Sequence, residues 1–176
     1  TIFVFAVVIM TVGTSFGQCA KAVQGFFQDK SFLLRNKKEL SELSRTLNAL
    51  YSNKKKHDVV VHYRRGNLEY QKKFSDYYEK IKLLIRNEKN EVLVVTESYN
   101  DAVVFFKNIS NIKVISSKNA LDDFKHLVST KKLYCAPSTF SWWAAHSLEK
   151  NSEIIFPSYY KALLGVYINS EKLTYV

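Results

Sequence analysis

Asp58-Val59-Val60-Val61-His62, answered further on by Glu91-Val92-Leu93-Val94-Val95-Thr96, decides the fold. Unbroken runs of Val and Leu, without polar alternation, describe strands covered on both faces, as in parallel sheets sandwiched by helices. Working outward, shorter apolar runs recur at 112–115, 133–136 and 153–156, separated by helical stretches at 73–86, 101–107, 120–129 and 140–148. Tyr77, Ile81, Leu84 and Ile85 form one stripe at helical spacing, and Leu121, Phe124, Leu127 and Val128 another. Ser98 followed by Asp101 predicts a helix N-cap with its capping-box acid. Strand and helix alternating in this way describe βαβ units, so the expected fold class is α/β with a Rossmann-like parallel sheet.

Upstream, Leu40, Leu43, Leu47 and Leu50 place an apolar stripe on a helix over 37–51. Polar residues 52–57 then mark a boundary between an N-terminal remnant and a compact unit beyond it. The most apolar stretch, Ile2 to Val12, is too short to span a bilayer. It fits a buried strand with its turn, the preferred reading, and also the apolar region of a secretory signal that lacks its basic start. Because the sequence opens on Thr1 and not on Met, a fragment or a processed product is expected.

The 176 residues suffice for a buried core, with 47% apolar residues, 12 Phe and 11 Tyr, and the 5 Gly and 2 Pro exclude collagen-like and low-complexity classes. A net charge of +10 raises nucleic acid, membrane surface or a phosphorylated ligand as partner. The excess is spread evenly along the chain, and the one compact run, Lys54-Lys55-Lys56, reads as a solvated loop, so a nucleic-acid arm is not expected. Cys19 and Cys135 lack Cys-x-x-Cys spacing, which speaks against a disulfide framework or a structural zinc. One bridge between them stays open, with a buried free thiol at Cys135 preferred.

Parallel sheets bind ligands at the C-terminal ends of their strands. The first strand is followed by His62-Tyr63-Arg64-Arg65-Gly66-Asn67. Two permanent guanidinium charges beside a Gly form a candidate diphosphate clamp, although two surface arginines in a βα loop would read the same. The fourth strand is followed by Ala136-Pro137-Ser138-Thr139-Phe140-Ser141-Trp142-Trp143-Ala144-Ala145-His146. Hydroxyls at 138, 139 and 141 open a helix whose first amides can hold an anion. The blander alternative is that Ser138 or Thr139 caps the helix and the tryptophans are core.

Together, His-x-Arg-Arg-Gly and Ser-Thr-Phe-Ser-Trp-Trp-Ala-Ala resemble the α-1,2-fucosyltransferases of glycosyltransferase family 11. Three more pieces are similar, in order: Gln24-Gly25-Phe26-Phe27-Gln28 with Asp29-Lys30-Ser31-Phe32, Phe74-Ser75-Asp76-Tyr77-Tyr78, and Asp122-Asp123-Phe124 through Leu133-Tyr134-Cys135. The likeness runs from about Gln24 to Tyr160, and the Trp-Trp motif is its most specific part.

The resemblance implies a two-lobed, GT-B-type transferase moving fucose from GDP-fucose to a galactoside hydroxyl of a glycan acceptor, inverting, forming an α-1,2 linkage and using no metal or other cofactor. Arg64 would be the main diphosphate ligand with Arg65 in support, His62 would line the nucleotide or sugar pocket, and Ser138, Thr139 and Ser141 would complete the phosphate cradle. Residues 1–57 would be the remnant of the acceptor lobe with its linking helix, and 58–176 the nucleotide-sugar-binding domain. Membrane association would come through a segment before Thr1, in the Golgi of a eukaryote or at the cytoplasmic face of a bacterial inner membrane.

Three departures qualify the likeness, the first being that the N-terminal Gly-rich motif that opens the family's acceptor lobe is absent from this sequence. The family's Arg-Arg-Gly-Asp ends in Asn67 here, which puts a substrate-orienting carboxylate there in doubt. Its Ser-Asp-Asp after the second strand is Thr96-Glu97-Ser98, which leaves Glu97 as the acid to bind the guanine edge or orient the site. Glu97 and Glu69 are the candidates for the catalytic base. A non-catalytic or degenerate nucleotide-sugar-binding module is the alternative function.

Overall fold

The computed structural model describes residues 37–52, 57–158 and 172–176. The apolar stretch 2–12, the segment 24–32, Cys19 and the lysine run 54–56 lie outside the described residues. In chain order the elements are α1 (Lys37–Tyr51), β1 (His57–Tyr63), α2 (Leu68–Ile85), β2 (Val92–Thr96), α3 (Tyr99–Phe106), β3 (Ile112–Ile115), α4 (Ala120–Val128), β4 (Thr130–Tyr134), α5 (Thr139–His146), β5 (Glu153–Phe156) and β6 (Lys172–Tyr175).

The six strands form one sheet in the order β3-β2-β1-β4-β5-β6, every neighbouring pair parallel. This is the strand order of a Rossmann-like, doubly wound sheet, and its direction of winding reverses between β1 and β4. Side chains alternate between the two faces of each strand. Val59, Val61 and Tyr63 of β1, with Val92, Val94, Tyr134 and Ile155, pack against Phe74, Tyr77, Tyr78, Ile81 and Ile85 of α2 and Ala102 and Phe106 of α3. On the opposite face Val60, Leu93, Leu133, Ile154 and Phe156 meet α1, α4 and α5, with Trp142 fully buried among them. Helix α1 shares this core through Leu40 and Leu47, and Asn48 Nδ2 donates to the Ser147 carbonyl at the end of α5.

Several expected boundaries move. Strand β4 begins at Thr130, before the apolar run expected at 133–136, and ends at Tyr134. Its first half carries Lys131 and Lys132, whose charges pair with Asp58, and with Glu88 and Glu153, so polar residues occupy strand positions that an apolar pattern overlooks. Strand β6 was not expected, because Lys-Leu-Thr-Tyr at the sheet edge offers only alternate residues to the core. Leu50 and Leu84, placed on the apolar stripes, are exposed, while Phe74 and Tyr78 are buried instead. Helix α3 starts without the expected cap: the Ser98 hydroxyl makes no capping bond, the Ser98 N–H donates to Thr96 Oγ1, and Asp101 pairs with Arg65. Cys135 is a buried free thiol, its acidity suppressed by burial. Among the described residues no helix is long and apolar enough to cross a membrane.

Candidate functional site

The loops after β1 and β4 flank the reversal of the sheet, where open α/β sheets leave a crevice at their strand ends. Val61 pairs with Tyr134 in register, so Arg64 and Pro137 each lie three residues beyond the same rung. Tyr63 pairs with Thr96, which sets Glu97 beside Arg64 and Arg65. The segments singled out in the sequence therefore emerge from adjacent strands at one edge of the sheet.

The loop after β1 is fixed by backbone geometry. Gly66 has φ +60°, in the left-handed region, and a Cβ there would lie 2.7 Å from Tyr70 Cγ. The close approach that requires Gly is thus to a ring of the same chain. Glu97 Oε1 accepts the Arg65 N–H at 3.1 Å and the Gly66 N–H at 3.5 Å, tying the end of β2 to this loop. The two arginines differ in their surroundings. Arg65 forms an ion pair with Asp101, whereas among the described residues no carboxylate pairs with Arg64, whose guanidinium lies 5.9 Å from the centre of the Tyr70 ring.

Asn67 is the N-cap of α2, its Oδ1 accepting the Tyr70 N–H at 2.8 Å. Asn and Asp cap helices about equally well, so the departure from Arg-Arg-Gly-Asp preserves this contact. We expect Asn67→Asp to leave stability unchanged or slightly raised, since a negative charge suits a helix N-terminus. Asn67→Ala should lose about 1 kcal/mol, a difference that urea unfolding of the two variants resolves. Helix α2 starts at Leu68, earlier than the expected 73, because of this cap.

On the other side, Ser138 caps α5 by accepting the Ser141 N–H at 3.2 Å, and Ser141, with no solvent exposure, is turned inward. Ser141 Oγ accepts the Ala136 N–H at 2.9 Å and lies 2.5 Å from His62 Nδ1. One proton is shared between Ser141 Oγ and Nδ1, its donor set by the His62 tautomer, so the hydroxyl and the ring hold each other in place. His62 is buried and beside the Arg64 charge, and both effects, burial first, pull its pKa down to about 3. It is neutral at physiological pH. Thr139 occupies the first turn of α5 and is partly exposed, at the helix end where backbone N–H groups lack intrahelical acceptors.

His62, Arg64, Arg65, Asn67 and Glu97 are thus gathered with Ser138, Thr139 and Ser141 at the C-terminal edge of the sheet. Glu69 is exposed in the first turn of α2. Sequence reasoning did not anticipate that Asp101 neutralises Arg65, nor that the phenol groups of Tyr77 and Tyr78 reach the two loops, since Tyr77 reads simply as part of an apolar stripe. Among the described residues no group of three or more His, Cys, Asp or Glu side chains could hold a metal ion.

The fold is α/β, a six-stranded parallel sheet flanked by helices and compatible with a Rossmann-like fold, with an arginine-bearing loop at the reversal of its strand order. No protein-family model, curated protein or solved structure matches the chain.

Proposed function

We propose that the crevice binds the diphosphate of a nucleotide-sugar and that the chain is the donor-binding part of a GT-B-type glycosyltransferase, with GDP-fucose as donor and a galactoside hydroxyl as acceptor. One observation carries the reading: an arginine that pairs with no carboxylate among the described residues follows β1, and the N-terminus of α5 follows the adjacent β4, so a permanent cation and helix-end amides flank the reversal of the sheet. In transfer, negative charge grows on the departing nucleoside diphosphate. Arg64 would stabilise it through bidentate contacts, and the amides of α5 would do so without reorganising. The donor sugar and its linkage rest on the resemblance of His62–Gly66 and Ser138–Ala145 to the fucosyltransferases.

Calorimetric titration of the chain with GDP tests the reading, and heat of binding saturating at one GDP per chain is the expected result. A folded protein that takes up no GDP would sink it. The position of Glu97 favours a second reading, that of a binding module without transferase activity. Its carboxylate is engaged by two backbone N–H groups, and Asn67 has no carboxylate to offer as a base. Product analysis with GDP-fucose and a galactoside acceptor separates the two, because a module binds the donor and releases no fucosylated product.

A further inference from the structure

Helix α2 carries two adjacent buried tyrosines, each 6% exposed, whose hydroxyls go to different loops. Tyr77 OH donates to the Cys135 carbonyl at 2.5 Å, just before Ala136-Pro137-Ser138. Tyr78 OH accepts the Arg64 backbone N–H at 3.1 Å and lies 3.4 Å from Tyr70 OH. The Tyr70 ring in turn lies against Gly66, and the Arg64 guanidinium is 5.9 Å from its centre. Helix α2 therefore holds one point on each side of the sheet reversal, through hydroxyls that core packing alone would not require. Phenylalanine at either position would fill the same apolar space.

We propose that Tyr77 and Tyr78 are positioning residues that set the spacing of the two diphosphate-binding loops, Tyr78 fixing the backbone from which Arg64 extends and Tyr77 fixing the entry to α5. The proposal rests on the nucleoside-diphosphate reading of the crevice and adds to it the element that pre-forms the site. A preorganised clamp spares the ligand the cost of ordering its loops, so loosening it weakens phosphate contacts before any others. Burial keeps both phenols protonated, since it raises their pKa values well above the ordinary tyrosine value.

The test compares Tyr77→Phe, Tyr78→Phe and, as a control, Tyr134→Phe, which removes a tyrosine hydroxyl bonded to Glu88 instead of to these loops. Affinity for GDP is measured against affinity for guanosine, which lacks the phosphates. Backbone amide exchange is followed at Arg64 and Ala136. The expected result is GDP binding about tenfold weaker in each loop-tying variant, guanosine binding within twofold of wild type, an unaffected control, and faster exchange at the two loop amides than along β1. Unchanged GDP binding in both variants would overturn the proposal, as would GDP and guanosine weakening in parallel. If the wild-type chain binds no GDP, the nucleotide reading falls while the clamp is still decided by exchange: selective acceleration at Arg64 and Ala136 upholds it, and unchanged protection there removes it.

Discussion

Arg64→Ala should weaken GDP binding roughly a hundredfold while leaving the fold intact. Charge-assisted hydrogen bonds to an anion are worth about 1.5–3 kcal/mol each, so losing a bidentate guanidinium contact removes about 3 kcal/mol of binding free energy. Stability should change little, because the side chain is partly exposed and among the described residues has no ion-pair partner. The bond from its backbone N–H to Tyr78 survives the substitution. Arg64→Lys keeps the charge without the planar fork and should fall between wild type and Ala. Arg65→Ala should cost only severalfold, since its guanidinium is already paired with Asp101 and its backbone N–H is held by Glu97. Isothermal titration of the three variants reads this order directly. A larger loss at Arg65 than at Arg64 would reverse the assignment of the clamp.

What the sequence disclosed follows from which forces leave a local trace. Strands β1, β2 and β5 were legible because burial on both faces demands runs of Val, Ile and Leu, edge strand β3 because Ile112, Val114 and Ile115 interrupt a polar stretch, and their order along the chain with intervening helices already implies a parallel sheet. The start of β4 and the whole of β6 were not, because lysines and threonines are tolerated wherever one side of a strand reaches solvent or an ion pair. The location of the site was legible for a related reason: ligands gather at strand ends, so the residues just past each apolar run are the ones to inspect.

The internal economy of the site was hidden. The cap at Ser138 was one of the two readings the sequence offered, and it is the one found, but the turning of Ser141 inward to a buried imidazole that needs a partner leaves no local trace. Asp101 resembles a capping acid until the register of β1 on β2 brings α3 close to Arg65. The reach of the Tyr77 and Tyr78 hydroxyls depends on how α2 docks on the sheet, which no spacing within α2 reveals.

The chain should be acid-labile through His62, and the sign follows from where the proton goes. Well above pH 6.5 the ring is neutral in both the folded and the unfolded state, and it contributes no pH dependence. Between 6.5 and about 3 the unfolded chain takes up a proton that the folded chain refuses, so stability falls as pH falls, by at most about 1.4 kcal/mol per pH unit for one proton. His126, whose pKa is also lowered, chiefly by burial, pulls in the same direction. A single acid profile therefore cannot assign the effect. His62→Asn separates the two, because an Asn side-chain amide can accept from or donate to Ser141 Oγ in place of Nδ1 and does not titrate. Urea unfolding between pH 7 and 4 should show the variant's stability declining less steeply than wild type by about one proton's worth. Arg64→Ala should lie between them, since removing the neighbouring charge lifts one of the two effects that hold the His62 pKa down while burial remains. Identical slopes for wild type and His62→Asn would mean that His62 is not held neutral in the folded chain.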